Sequence, residues 1–161
     1  MVEVTGNLWS YPADCRVITT NGAVRNDGGC VMGRGCALEA KTRYPGIDKV
    51  LGQHIRLKGN IVSILREDDA DGDTIVSFPV KHHWREEADP KLIEVSARTL
   101  SGYADLHGWK VIVMPRPGCG NGRLFWCGKA SCKGNNCNGV SHILAPILDD
   151  RFHIIDFGRS R

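Results

Sequence analysis

Several groups of residues in this chain have types and spacings that could do chemistry. Lys81 precedes His82 and His83, so an amine and two imidazoles are adjacent in sequence. Two glycine-rich loops, a first loop at 29–35 and a second loop at 117–122, each lie between predicted elements. A lysine amine can act as a nucleophile, and glycine loops can bind anions. A third group, whose members lie five residues apart, could bind a metal ion: Cys127, Cys132, Cys137 and His142.

The first loop follows a predicted strand at 15–21 and precedes a predicted helix that ends near Arg43. Glycines at such a junction let backbone N–H groups approach an anion, and the helix N-terminus adds favourable partial charge. The loop lacks the lysine and Ser/Thr of a Walker A motif and the GxGxxG spacing of dinucleotide-binding folds. ATP hydrolysis and hydride transfer are therefore not indicated, and a glycine turn without a ligand remains the alternative.

The second loop follows a predicted buried strand at 110–114. In open α/β sheets, ligands bind beyond the carboxyl ends of the strands. If the strands that contain Ile18 and Val113 are parallel neighbours, both loops emerge at the same edge of the sheet. Two such loops would form a cleft lined with backbone amides, which suits a diphosphate flanked by sugars.

Strand and helix patterns alternate along the whole chain, with short links between them. The strands are predicted at 2–5, 15–21, 61–65, 74–80, 110–114 and 152–157, and the helices at 36–43, 47–57, 90–107 and 140–148. An acidic segment, 67–73, is predicted to be a hairpin tip. This order predicts a three-layer α/β/α fold with a mixed central sheet of about six strands.

The composition predicts a single domain over 1–161, with 42% apolar residues, 24% charged residues and a net charge of +3. This charge permits contact with nucleic acid without requiring it. No apolar run has the length of a membrane span, and the first residues do not resemble a secretory signal. Seven cysteines, an odd number, favour reduced thiols in the cytoplasm.

In order and spacing, these motifs resemble those of the macrodomains, an ADP-ribose-binding fold. The matching segments are Gly6-Asn7-Leu8, the strand end ITTNGAV, residues 29–37, and the second loop with Leu124 and Trp126. The resemblance covers nearly the whole chain and leaves an irregular cysteine-bearing insertion at 127–139. It implies ADP-ribose, or an ADP-ribosylated macromolecule, as the partner of a monomeric protein that requires no cofactor and no membrane.

The resemblance also implies where ADP-ribose binds. Asn21 would contact the distal ribose, the first loop would wrap the diphosphate and distal ribose, and the second loop would close from the other side. Adenine would lie near Asn7, whose amide can accept a hydrogen bond from the adenine amino group, and Phe157 would stack on it. The implied binding residues are Asn7, Leu8, Asn21, Gly29, Cys30, Val31, Met32, Gly33, Gly35, Pro117, Gly118, Cys119, Gly120, Asn121, Gly122 and Phe157.

The segment FPVKHHW at 78–84 resembles the Phe-Pro-Thr-Lys-x-His-Trp stretch of macrodomain antitoxins that remove ADP-ribose from DNA bases. This resemblance implies that Lys81 is catalytic and that Asn21 positions the ribose. Lys81 could attack C1″ as a neutral amine or stabilise the leaving group by its charge. Gly122 stands where relatives that act on protein esters can carry Asp, which favours a nucleic-acid substrate.

Three functions follow from this resemblance. The first is an ADP-ribosyl hydrolase that releases ADP-ribose from a modified macromolecule, with nucleic acid as one candidate. The second is a phosphatase acting on ADP-ribose 1″-phosphate, or an enzyme acting on an ADP-ribose-derived signal. The third is a module that binds ADP-ribose without turnover.

The late cysteines allow two interpretations. Cys127, Cys132, Cys137 and His142 could form a tetrahedral structural zinc site, but the paired Cys-x-x-Cys spacing is absent. We therefore predict no metal, and structural zinc is the alternative to a loop with free thiols. The cysteines of the binding segments are predicted to be small buried residues, because no basic partner is evident for a nucleophile.

Overall fold

The computed structural model describes residues 1–67, 73–128, 132 and 137–157. Among these residues the strands are β1 (Val2–Thr5), β2 (Cys15–Thr20), β3 (Ser63–Arg66), β4 (Ile75–Pro79), β5 (Ile112–Pro115) and β6 (Phe152–Asp156). The helices are α1 (Gly35–Arg43), α2 (Ile47–Lys58), α3 (Pro90–His107) and α4 (Val140–Leu144). None of these helices combines the length and apolar character needed to cross a lipid bilayer.

The strands form one sheet in the order β1-β6-β5-β2-β4-β3. All neighbouring strands are parallel except β3 and β4, which are antiparallel. The central strand β2 pairs with β4 on one side and with β5 on the other. The carboxyl ends of β2, β4, β5 and β6 therefore meet at one edge of the sheet, as the sequence predicted for the two glycine loops.

Alternate residues of the central strands pack into two hydrophobic clusters. Val17 belongs to the cluster that contains α3 and α4 residues, whereas Ile18 belongs to the cluster that contains α1 and α2 residues. This separation follows from the side-chain period of two along a strand. The helices therefore lie in two layers with the sheet between them, and the predicted three-layer α/β/α fold is confirmed.

Helix α3 has strong signals at both ends. The Asp89 carboxylate accepts a hydrogen bond from the backbone N–H of Lys91 at 2.9 Å, and Pro90 occupies the first helical position. Gly108 adopts a left-handed conformation after the last turn, with its N–H bonded to the Ala104 carbonyl. The helix packs on β4 and orients the segment that carries Lys81.

Two predicted elements needed correction. The helix predicted at 140–148 ends at Leu144, because Pro146 has no N–H for a helical hydrogen bond and its ring crowds the preceding turn. The strand predicted at 61–65 begins only at Ser63, because the turn after Gly59 extends to Ile61, whose N–H bonds to the Gly59 carbonyl. Other boundaries shift by one or two residues, and most of the predicted acidic hairpin tip, 68–72, lies outside the described residues.

Candidate functional site

A cleft of about 1240 Å³ lies at the carboxyl edge of the sheet. Both glycine loops contribute to its walls, and the segment after β4 contributes a third side. Twelve of the residues singled out in the sequence line this cleft: Asn7, Asn21, Val31, Gly33, Gly35, Lys81, Gly118, Cys119, Gly120, Asn121, Gly122 and Phe157. Residues that are far apart in sequence therefore share one concave surface.

Asn21 at the end of β2 holds the first loop in place. Its Nδ2 donates a hydrogen bond to the Val31 carbonyl at 2.9 Å, and its Oδ1 accepts one from the Ala23 N–H at 2.9 Å. The Cys30 thiol also lies 3.4 Å from the Asn21 carbonyl. The Asn21 side chain is thus largely occupied by the protein itself, with one amide N–H left for a ligand.

Ion pairs and close backbone packing support the first loop from behind. The buried Asp48 carboxylate lies 2.8 Å from the Arg25 guanidinium, and the Asp48 carbonyl accepts a hydrogen bond from the Cys30 N–H at 2.9 Å. Gly52 of α2 leaves no room for a methyl group against the Gly28 carbonyl. The loop is therefore fixed against α2 before any ligand binds.

The N-terminus of α1 opens into the cleft. Gly35, Cys36 and Ala37 line the cleft, and no side chain in the described part of the chain caps this end of the helix. Its first N–H groups and their partial positive charge are thus directed at the site, where an anion would be stabilised. A Cβ on the neighbouring Gly33 would meet no atom of the described residues within 4 Å, so its backbone is open to a ligand.

The second loop is shaped by close contacts of its own backbone. Gly118 has φ +76, and a Cβ on Gly122 would lie 2.6 Å from the Gly118 carbonyl oxygen and 2.7 Å from the Ala88 methyl carbon. The Gly122 carbonyl accepts a hydrogen bond from the Ala88 N–H at 3.0 Å. Gly120, in contrast, has open space around its Cβ position. An acidic side chain at position 122 would therefore not fit this backbone.

Lys81 follows β4 and lines the same cleft. Its Nζ donates hydrogen bonds to the carbonyls of Trp84 at 3.3 Å and Glu86 at 3.2 Å. Partial burial lowers the pKa of the Lys81 amine, the charges of Arg123 and Arg34 lower it further, and Glu86 opposes them. A larger fraction of the amine is therefore neutral at a given pH than for an ordinary lysine.

One end of the cleft is formed by Asn7, Asp156 and Phe157. The Oδ1 atom of Asn7 accepts a hydrogen bond from the Trp9 N–H at 2.8 Å, so this oxygen already has a partner within the chain. Asp156 supplies a carboxylate at the same end, 3.6 Å from the Arg116 guanidinium. Phe157 is 44% exposed, which leaves its ring available for stacking.

Five of the sequence-predicted binding residues do not line the cleft: Leu8, Gly29, Cys30, Met32 and Pro117. All five are buried. Leu8, Cys30 and Met32 belong to the hydrophobic cluster beneath the first loop. Their side chains pack beneath the loop. A sequence motif alone does not distinguish these buried residues from the neighbouring residues that line the cleft.

Four arginines that were not predicted from the sequence as site residues also line the cleft: Arg34, Arg85, Arg116 and Arg123. Each is adjacent in sequence to a residue of a predicted motif, and this adjacency could have been used to predict them. Arg123 has φ +63, a left-handed conformation that is unfavourable for a side-chain-bearing residue and is often found at functional sites. With Lys81 the arginines give the cleft lining five cationic side chains, against the three carboxylates of Glu39, Glu86 and Asp156.

The thiols of the binding segments are poor nucleophiles. Burial raises the pKa of the Cys30 thiol to about 12 and that of the Cys119 thiol to about 11. Burial also raises the pKa of Cys36, whose sulfur lies 3.4 Å from the Thr19 hydroxyl. Since the thiolate is the reactive form, a raised pKa argues against a nucleophilic role for these residues, although Cys36 and Cys119 line the cleft.

Several solved structures of macrodomains share the fold of this chain. The macrodomain of Mycobacterium tuberculosis DarG has a TM-score of 0.76 at 24% identity, covering 96% of this chain and 95% of that one. The macrodomain of Thermus aquaticus DarG has a TM-score of 0.68 at 22% identity, with 96% and 95% covered. Thermosipho africanus DarTG in complex with ADP-ribose has a TM-score of 0.71 at 21% identity, and this chain covers 41% of its length.

The chain has the macrodomain fold. No protein-family model matches it, and no match is found among curated proteins. The resemblance to macrodomains predicted from the sequence is confirmed at the level of the fold. The cleft of this chain lies where the two predicted loops meet, and the individual binding roles of their residues stay predictions.

Proposed function

We propose that this macrodomain binds ADP-ribose and hydrolytically releases it from a modified macromolecule. The observation that carries the proposal is the presence of Lys81 in the same cleft as the two open glycines, Gly33 and Gly120. The glycines and the α1 N-terminus account for binding of a diphosphate, and Lys81 accounts for chemistry beside it. The ADP-ribose complex of Thermosipho africanus DarTG, which shares this fold, supports the choice of ligand.

The adenine would occupy the end of the cleft formed by Asn7, Asp156 and Phe157. The exposed Phe157 ring would stack on the base, and the Asp156 carboxylate would accept a hydrogen bond from the adenine amino group. The diphosphate would then lie between the two loops. This order brings the distal ribose to Asn21 and Lys81.

Lys81 acts in this proposal as a nucleophile at C1″ of the distal ribose. Its neutral amine would attack C1″, and the glycosidic bond would break with its electron pair passing to the leaving base, which takes up the proton released by the Lys81 nitrogen. The C1″–O4″ bond would then open as the remaining N–H proton passes to O4″, which leaves a C=N bond between Lys81 and ADP-ribose. Water would hydrolyse this imine, release ADP-ribose and regenerate the amine. The lowered pKa of Lys81 supports this role, because only the neutral amine carries a free electron pair.

The rim of the cleft favours nucleic acid as the acceptor. Trp84 is 45% exposed and Phe125 is 61% exposed, and both line the cleft. The Arg85 guanidinium lies 4.7 Å from the centre of the Trp84 ring. Exposed aromatic rings with arginines nearby are the groups that stack on unpaired bases and neutralise phosphates. The odd number of cysteines supports action in a reducing compartment, for which we propose the cytoplasm.

The test is a panel of substrates assayed with the wild type and with Lys81→Ala. The substrates are ADP-ribosylated DNA, RNA and protein, together with ADP-ribose 1″-phosphate. We expect release of ADP-ribose from DNA or RNA, a loss of at least about 100-fold in Lys81→Ala, and unchanged affinity for free ADP-ribose. Lys91→Ala, a lysine outside the cleft in the first turn of α3, is the matched control.

Other outcomes of the panel identify the other functions. Turnover of ADP-ribose 1″-phosphate alone would identify the protein as a phosphatase. In that case Arg34 and Arg123, near Lys81, would bind the terminal phosphate. ADP-ribose binding without turnover of any substrate would leave a binding module. Borohydride reduction during turnover should trap ADP-ribose on Lys81, and failure to trap an adduct in an active protein would exclude the nucleophilic role.

A further inference from the structure

Cys127, Cys132, Cys137 and His142 converge in space on the side of the molecule next to the second loop. Their three sulfur atoms and one imidazole nitrogen all lie within 4.8 Å of one another. The four residues lie five apart in sequence. The proposed hydrolase reaction uses none of these side chains.

We infer that these four residues form a structural zinc site. Three thiolates and one imidazole are a ligand set that zinc binds with tetrahedral geometry. Zn–S bonds of about 2.3 Å place tetrahedral ligand atoms about 3.7 Å apart, so a contraction of about 1 Å closes the cluster around the ion. Four protein ligands leave no position for water or substrate, which makes the site structural rather than catalytic.

His142 gives independent support for a ligand at this position. Its Nε2 atom is buried and has no hydrogen-bond partner among the described residues. A buried imidazole nitrogen without a partner costs free energy of desolvation, which coordination of a metal ion would recover. The histidine therefore has a physical reason to bind a cation rather than to pack as an apolar ring.

The strained backbone conformation of Cys127 also supports a role for its thiol. Cys127 adopts φ +65, a conformation that glycine accepts at little cost and that other residues adopt only with strain. The carbonyl of Cys127 accepts a hydrogen bond from the Ser141 hydroxyl at 2.6 Å. The strained cysteine is thus held beside the helix that carries His142.

The cluster joins the end of the second loop to α4. The Val140 N–H donates to the Phe125 carbonyl at 2.8 Å, and the Ser141 N–H donates to the Trp126 carbonyl at 3.1 Å. Phe125 and Trp126 line the cleft, and Trp126 is also part of the core. A zinc ion here would therefore fix one wall of the cleft from outside it, in agreement with the known coupling of structural metals to folding.

The test measures metal content of protein expressed with zinc and purified without chelators. We expect about one zinc ion per chain in the wild type and in Cys15→Ala, a buried core thiol that serves as control, and loss of zinc in Cys132→Ser. Because unfolding of Cys132→Ser would also release zinc, His142→Cys provides a second variant that should retain zinc with four thiolates. Chelation of the wild type should lower its melting temperature by several degrees.

Replacement of zinc by Co²⁺ gives a readout that depends on the ligand set. The reduced, metal-free wild type should take up Co²⁺ and show the sulfur-to-metal absorption and visible bands of a tetrahedral thiolate site. A wild type that contains no zinc and shows no such Co²⁺ spectrum would overturn the proposal. Retention of zinc by Cys132→Ser would likewise overturn the assignment of these four ligands.

Discussion

The two glycine loops that face each other across the cleft are held in place by different means. A Cβ on Gly29 of the first loop would meet the tips of side chains, the Arg25 Nη2 at 2.6 Å and the Asp48 Oδ2 at 2.7 Å. A Cβ on Gly122 of the second loop would meet backbone, including the Gly118 carbonyl oxygen at 2.6 Å. Side-chain tips can move aside, but the backbone of a tight turn cannot.

The comparison separates glycines that the fold needs from glycines that only a ligand would need. Gly118 and Gly122 are crowded by the protein, whereas Gly33 and Gly120 are open. Neither open glycine has a left-handed conformation, so an ordinary side chain could occupy its position in the isolated chain. Each loop thus has one glycine, Gly33 or Gly120, that lines the cleft and that the fold itself does not require.

The largest effect is expected from Gly122→Ala. The added methyl group must displace backbone, so we expect the free energy of unfolding to fall by about 2–3 kcal/mol, the upper range for overpacking. Gly29→Ala should cost less, because side-chain tips can shift. Denaturant unfolding of both variants checks this order, with the exposed Gly102→Ala in α3 as a control expected to stabilise by about 0.5–1 kcal/mol. Equal losses at positions 29 and 122 would remove the distinction between the loops.

The next effect concerns the ion pair behind the first loop. Asp48→Asn removes a buried charge that lies 2.8 Å from the Arg25 guanidinium, so we expect a loss of about 1–2 kcal/mol in the free energy of unfolding. Glu94→Gln is the matched control, because it removes an exposed i,i+4 pair with Arg98 and should cost at most about 0.5 kcal/mol. Indistinguishable denaturation midpoints for the two variants would show that the ion pair does not support the loop.

The smallest effect is a pH dependence of stability that comes from Asp27, two residues before the first loop. The Asp27 carboxylate accepts a hydrogen bond from the Gly29 N–H at 2.8 Å, which together with Lys49 and Arg25 lowers its pKa to about 2. Its folded pKa lies below its unfolded value of about 3.9, so its contribution to stability is present above that pH and is lost as the pH falls towards 2. Side-chain NMR should place the titration midpoint of Asp27 near 2, and a midpoint near 4 would contradict this anchor.

Much of the fold was predictable because its signals are local. Asp89, Pro90 and Gly108 mark the ends of α3 in the sequence, and the structure places them there. The early end of α4 could also have been predicted, because Pro146 lies inside the predicted helix at 140–148. The meeting of the two loops was predicted on the condition that β2 and β5 are parallel neighbours, and the structure shows that they are.

The detailed site was less predictable because it depends on contacts between distant segments. Nothing in the sequence separates Met32, which is buried beneath the first loop, from Gly33, which is open to the cleft. The hydrogen bond from Trp9 to Asn7 and the acidic group supplied by Asp156 likewise depend on tertiary placement. The five-residue spacing of the late cysteines left zinc only as the alternative to free thiols, and only the folded chain shows their ligand atoms converging.

The central claim is that both open glycines face bound ADP-ribose, and calorimetric titration of ADP-ribose tests it most directly. The titration compares the wild type with Gly33→Val/Gly120→Val, once unfolding has shown that the two have equal stability. We predict saturable binding to the wild type and an affinity at least about 100-fold lower in the double variant, because valine side chains would occupy the position of the ligand. Absence of binding to the wild type, or equal affinity in both proteins, would contradict the account.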